Sequence, residues 1–169
     1  MSLNVVYKID TAYQDFSVRI LRVVRQNLWL YLPDTVLIIL LIVPPYALEE
    51  TLSIIAGLLI LGIRDIIIIK RNIKYLNFFE IQNGLVHYSI LRYSMVYIED
   101  KEHITNIDME WIESQNNSRL QLIRKDSVVH TQYAMGYWTR NRLKKLYFEF
   151  KELKKDNNIE DIFRGPILN

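Results

Sequence analysis

Thr35-Val-Leu-Ile-Ile-Leu-Leu-Ile-Val-Pro-Pro-Tyr-Ala-Leu48 and Thr51-Leu-Ser-Ile-Ile-Ala-Gly-Leu-Leu-Ile-Leu-Gly-Ile-Arg-Asp-Ile-Ile-Ile-Ile69 decide the reading of this chain, because between Thr35 and Ile63 only Glu49 and Glu50 are charged. The first run has 14 residues, too few at about 1.5 Å per residue to cross a hydrocarbon core of roughly 30 Å. Extending it back through Asn27-Leu-Trp-Leu-Tyr-Leu-Pro-Asp34 supplies the length, sets Trp29 and Tyr31 at an interface, and places Asp34 inside the span. The second run is long enough alone and is interrupted by Arg64-Asp65. Pro44-Pro45 ends the first helix and Glu49-Glu50 give a polar tip, so the two runs predict a helical hairpin over residues 27–71. Its alternative is a buried hairpin in a soluble helical domain.

Flanking charge sets the orientation. Arg19, Arg22 and Arg25 precede the hairpin, Lys70, Arg71 and Lys74 follow it, and the connection between the two runs has no Lys or Arg. These six basic residues are expected at the membrane surface, with both termini in the cytoplasm. The first 26 residues are charged throughout, so no cleavable signal peptide is expected.

Counted from the tip, Asp34 and Arg64 both lie about 20 Å away and so at matched depth. An unpaired charge there is costly, which predicts an Asp34–Arg64 pair, within one chain or between subunits; the alternative is that Arg64 snorkels to headgroups while Asp34 sits at the interface. Ser53, Gly57, Ile60 or Leu61, and Arg64 recur at three- or four-residue steps. This small-to-polar stripe suits either helix packing or, with Asp65, the lining of an aqueous path.

Outside the hairpin the chain divides into a cytoplasmic segment 1–26, a β-rich domain 72–155 and a polar tail 156–169. In the first, Val5 to Ile9 reads as a short strand, and Asp10 or Thr11 as the cap of a surface helix presenting Tyr13, Phe16, Ile20, Val23, Val24 and Asn27 on one face. Beyond Tyr75 the period changes to two. Asn83-Gly84 marks a tight hairpin between Tyr75–Gln82 and Leu85–Ile90. Further strands are expected at Ser94–Ile98, Ile104–Ile112, Leu120–Arg124 and Val128–Tyr133, with turns at Glu99-Asp100-Lys101, Gln115-Asn-Asn-Ser118 and Lys125-Asp-Ser127. A last helix, capped by Thr139, carries Leu143, Leu146, Tyr147, Phe150 and Leu153 on one face. The expected fold class is an α+β membrane protein: an N-terminal amphipathic helix, a two-helix transmembrane hairpin, then five or six antiparallel cytoplasmic strands closed by an amphipathic helix. Tyr75 to Ser118 has a net charge of −5 and Thr139 to Lys155 one of +5. These regions can attract one another, or the basic helix can meet anionic headgroups or RNA, or face solvent.

The whole chain has 169 residues, 21 basic and 19 acidic side chains, and no cysteine. A disulfide framework, a thiol nucleophile and Cys-ligated zinc are excluded, and the charge balance argues against a polycationic DNA binder. The three histidines, His87, His103 and His130, have no metal-ligand spacing, and no phosphate loop or nucleophile elbow is present. No cofactor and no metal is therefore expected. One pattern carries possible chemistry, Arg124-Lys-Asp-Ser-Val-Val-His130, since an Arg that binds phosphate beside a His general acid or base suits metal-independent RNA cleavage. It falls on a turn between two predicted strands, and no enzyme is expected from it.

With its N-terminal membrane segment, cytoplasmic remainder and the single Arg124…His130 stretch, the chain resembles the small accessory membrane proteins of type VI-B CRISPR systems. That resemblance implies a homo-oligomeric, pore-like ring in the bacterial inner membrane that depolarises it in antiviral defence, with an RNA-guided RNase or its RNA products as functional partner and with membrane lipids around it. A helical nuclease fold does not fit the strand-rich surroundings of Arg124. From Asn27 to Leu153 the layout is also similar to bacterial pleckstrin-homology-like membrane proteins, some of which accompany bacteriocin immunity; this implies a membrane-anchored binding or immunity module.

Overall fold

The computed structural model describes residues 7–11, 13–42, 48–115 and 117–164, the last eight without their side chains. Pro44 and Pro45 of the expected tip and residues 165–169 of the tail lie outside the described residues, while Glu49 and Glu50 belong to the first turn of a helix and not to a loop. The fold is α+β, with two antiparallel sheets and one long apolar helix.

Asn83 and Gly84 both take positive φ, 51° and 72°, as a two-residue hairpin turn demands. They join β2 (Lys74–Gln82) to β3 (Leu85–Arg92). A four-stranded sheet forms in the order β1-β2-β3-β4, with β1 at Tyr7–Asp10 and β4 at Met95–His103. The second sheet has the order β5-β6-β7, from Ile107–Ile112, Arg119–Arg124 and Ser127–Tyr133. Six strands follow the long apolar helix where five or six were expected, and β1 falls at the short strand expected near Val5 to Ile9.

The core lies between these sheets. Phe79, Val86, Tyr88, Ile90, Leu91 and Ile107 are fully buried in it, and the last helix closes it. That helix, α4 (Arg140–Arg164), starts where Thr139 Oγ1 accepts the Arg142 N–H at 3.4 Å. Leu143, Leu146 and Phe150, the predicted inner face, are completely buried beside Trp138, each worth about 1.5–3 kcal/mol of burial. The tail does not begin at residue 156, since α4 continues to Arg164.

The remaining helices form a single excursion between the neighbouring strands β1 and β2: α1 (Phe16–Gln26), a 3-10 turn (Leu28–Tyr31), α2 (Leu32–Ile42) and α3 (Leu48–Ile73). Its two ends are tied together, because Thr11 donates to the Asn77 carbonyl from both its N–H (3.0 Å) and its hydroxyl (2.9 Å). That use of Thr11, and the place of Asp10 in β1, moves the N-cap of α1 to Asp15, four or five residues past the expected one. Helix α3, 26 residues long, extends about 39 Å and is long and apolar enough to cross a bilayer. No residue of its most apolar stretch is fully buried by the rest of the chain.

Two local expectations are corrected. Glu99-Asp100-Lys101 is not a turn but the middle of β4, where Asp100 and Glu102 lean inward while Glu99 and Lys101 face water; charges of this kind protect a sheet edge. Residues Ile104–Asn106 form a 3-10 turn ahead of β5 rather than the start of that strand. The β3–β4 connection is Tyr93-Ser94, with Tyr93 at φ 53°, a conformation a bulky residue adopts only when its surroundings impose it. Here the Tyr93 N–H donates to the Ile73 carbonyl at 2.8 Å, and the Tyr93 carbonyl accepts from the Arg19 guanidinium.

Candidate functional site

Arg64 joins the two apolar helices. Its Nη2 is 2.6 Å from Asp34 Oδ2 and 3.0 Å from Asp65 Oδ1, its Nη1 donates to the Leu30 carbonyl at 2.5 Å, and its guanidinium lies 4.7 Å from the centre of the Tyr31 ring. The Leu30 carbonyl is open for a sequence reason: its partner in a 3-10 turn would be the N–H of residue 33, which Pro33 lacks. The expected Asp34–Arg64 pair thus exists within one chain. Along the small-to-polar stripe, Gly57 faces α2, so that a Cβ there would stand 3.0 Å from Leu37 Cδ1. Ser53 donates to the Glu49 carbonyl at 2.9 Å.

The six expected membrane-surface cations do not share one fate. Arg19 is buried, 2% exposed, which corrects its placement on the surface. Its guanidinium donates to the Asn72 carbonyl at 3.2 Å as well as to Tyr93 and lies 4.6 Å from the Tyr75 ring centre. Burial lowers its pKa, with Tyr75, Tyr13 and Asp15 acting the other way. It latches α1 to the end of α3 and to the β3–β4 turn. Arg22 is half-buried and Arg25 exposed on α1.

Lys70, Arg71 and Lys74 meet Arg92, a residue the sequence did not mark, around an open cleft of about 480 Å³ where α3 passes into β2. No Asp or Glu lines it. Among the described residues none of these four cations is in an ion pair. Their neighbours are ring faces: Arg71 lies 5.1 Å from the Tyr133 ring centre, and Lys74 and Arg92 lie 5.1 Å and 5.7 Å from that of Tyr97. Such contacts hold a cation while leaving its charge available. Lys74 and Arg92 are also directly opposed in the β2–β3 ladder, an arrangement that is destabilising for like charges. The opposition arises from a bulge: counting outward from Asn83-Gly84 pairs Lys74 with Tyr93, and the irregularity between Leu76 and Phe78 shifts the register by one residue onto Arg92.

His130 also lines this cleft, at 3% exposed. Its Nε2 lies 3.3 Å from Gln132 Oε1, which also accepts the Leu76 N–H at 2.9 Å, while its Nδ1 has no partner. Burial lowers its pKa to about 4, the Gln132 bond opposing and Lys74 reinforcing the shift. Arg124, the other half of the ribonuclease-like pattern, turns elsewhere, bound to Asp100 and, at 3.5 Å, to Glu102 of β4. The two residues are thus committed to different surroundings, one to acidic side chains and the other to the interior.

The acidic and basic regions meet inside the chain. Glu113 binds Arg140 and, at 3.0 Å, Lys144. Asp108 binds Lys151 at 2.6 Å and Lys154 at 3.6 Å. Burial raises the Asp108 pKa, yet the Lys151 and Met109 hydrogen bonds and the charge of Lys154 together bring it below its ordinary value. Among the described residues no group of three or more His, Cys, Asp and Glu side chains could hold a metal ion.

No protein-family model, curated protein or solved structure matches the chain.

Proposed function

We propose that the chain is a membrane-anchored binding module, in which α2 and α3 form a hairpin in the bacterial inner membrane and hold a pleckstrin-homology-like β domain at its cytoplasmic face. The observation that carries this is the bare surface of α3, where Leu52, Leu59, Ile60, Ile63 and Ile66 are each more than half exposed on the folded chain. So continuous an apolar surface is stable only when something other than water covers it. From Glu50 to Lys70 is 20 residues, about 30 Å of helix, which matches a hydrocarbon core. Acidic residues mark one end and the cationic cleft the other, the asymmetry expected of a cytoplasmic β domain. Seven strands in two antiparallel sheets, closed by a C-terminal helix, support the pleckstrin-homology-like reading.

A homo-oligomeric pore is the competing reading, resting on the resemblance to CRISPR accessory membrane proteins, on the matched depth of Asp34 and Arg64 and on the small-to-polar stripe. Asp34 and Arg64 partner each other in one chain, so the anchored module requires no ring. Proteoliposome leakage separates the readings, since the module predicts none.

The absence of cysteine makes the topology test clean. Single-cysteine variants Glu50→Cys and Ser127→Cys are exposed to a membrane-impermeant maleimide on intact spheroplasts. Labelling of Glu50→Cys alone, with Ser127→Cys reacting only after lysis and the protein resisting alkaline carbonate, is the expected result. Equal labelling at both sites, or release by carbonate, refutes the anchor.

A further inference from the structure

We infer that the cleft formed by Lys70, Arg71, Lys74 and Arg92 binds the phosphate of an anionic lipid headgroup. This rests on the anchored reading above, which brings the end of α3 to the depth of the lipid phosphates.

The argument begins with an unpaid electrostatic cost. Lys74 and Arg92 face each other across the β2–β3 ladder, Lys70 and Arg71 join them from the last turn of α3, and no carboxylate lines the cleft. Elsewhere the chain places Asp or Glu against clustered cations, as Glu113 does for Arg140 and Lys144 and Asp108 for Lys151 and Lys154. Here, among the described residues, Arg71, Lys74 and Arg92 lie against the faces of Tyr133 and Tyr97. An anion from outside completes such a site, and a phosphate offers acceptors to several donors at once.

The rim says where that phosphate comes from. Val128 and Tyr97 are 52% and 47% exposed, and both line the cleft itself. A cationic recess edged by exposed apolar and aromatic side chains fits the bilayer interface, where the rim enters the acyl boundary as the cations meet phosphates. Free phosphate in water has no use for such a rim.

The cost predicts its own signature. Neutralising Lys74 and Arg92 removes repulsion, so the Lys74→Gln/Arg92→Gln protein should be at least as thermally stable as the parent without ligand, while responding less to it. A positively charged residue kept for packing would give the opposite basal result.

The test uses the full chain in a non-ionic detergent, titrated with short-chain phosphatidylglycerol, short-chain phosphatidylcholine of equal length, or inorganic phosphate at constant ionic strength. Thermal midpoint and native-mass lipid occupancy are the readouts. Phosphatidylglycerol is expected to bind and stabilise where phosphatidylcholine does not, and the double variant to bind it about 10-fold or more weakly. Lys74→Gln alone should fall between, which guards against a misfolded double variant. Equal phosphatidylglycerol binding by parent and double variant overturns the cleft. A response to inorganic phosphate that matches the lipid overturns the lipid source. If carbonate releases the chain while the variants still lose anion binding, the anchor fails and the cleft does not. If the chain resists carbonate but ignores phosphatidylglycerol, only the cleft fails.

Discussion

The Asp34–Arg64 contact gives the sharpest test of where the apolar helices reside, because its strength depends on the surrounding medium. With about 4 Å between charge centres, such a pair is worth roughly 1 kcal/mol in water and roughly 4 kcal/mol at an effective dielectric of 20. The side chains are 25% and 18% exposed on the bare protein, and lipid in place of water would complete their desolvation. Asp65 shares the same Nη2, so Asp34→Asn leaves Arg64 with one carboxylate and removes only part of the attraction. A coupling of about 2 kcal/mol is therefore expected from a double-mutant cycle of Asp34→Asn and Arg64→Gln, against less than about 1 kcal/mol for an exposed pair. The four proteins are reconstituted in bicelles and unfolded reversibly with SDS, followed by tryptophan fluorescence. A coupling below about 0.5 kcal/mol refutes the claim that lipid, not water, surrounds this pair.

Three further outcomes follow. Gly57→Leu should loosen α2 from α3 and lower stability by about 1–3 kcal/mol, whereas Gly62→Ala, whose added Cβ meets nothing within 4 Å, should be neutral or stabilising; the same SDS titration measures both. His130 is held neutral, with a pKa of about 4 against an ordinary 6.5, so its contribution is complete above pH 6.5 and is lost as pH falls through that window towards 4. The loss amounts to about 3 kcal/mol, and thermal midpoints of parent and His130→Gln between pH 7 and 4 should differ in slope; parallel curves would sink this assignment. Phe150→Ala should cost about 3–5 kcal/mol by opening the seam between α4 and the sheets, read as a fall in midpoint, and a change below about 1 kcal/mol would mean that α4 is not part of the core.

Where one local rule decided an element, the sequence was sufficient. Asn83-Gly84 located its hairpin through the positive φ that this pair accepts, and the inner face of α4 followed from residues at helical spacing. The charge-free runs located α2 and α3, and matched depth anticipated that Arg64 meets Asp34. What stayed hidden was set by contacts distant in sequence. The Tyr93-Ser94 turn has neither Gly nor Asn to announce it, being imposed by Arg19 and Ile73. Alternating charges concealed β4, since Glu99-Asp100-Lys101 looks like a turn until Arg124 is found to receive Asp100 and Glu102. The cationic cleft depends on a one-residue slip in the ladder, and no count outward from Asn83-Gly84 reveals Arg92 opposite Lys74.

That slip links the parts of the molecule. The extra residue is Asn77, whose carbonyl accepts both hydrogen bonds from Thr11 and so ties the start of the helical excursion to β2, just beyond its end. The same bulge aligns Arg92 with Lys74 and creates the excess of positive charge at the foot of α3. Arg19 then bonds Asn72 in the last turn of α3 and Tyr93 between β3 and β4, immediately after Arg92. A buried guanidinium with an unpartnered Nε is an expensive way to join two elements, and its position explains the expense. It fixes the outgoing helix to the hairpin that carries two of the cleft's contributors, Arg92 and Tyr97. The apolar helices and the cleft are therefore held in register by one bulge and one buried arginine, so that the proposed phosphate would be held relative to α3 and not merely to the β domain.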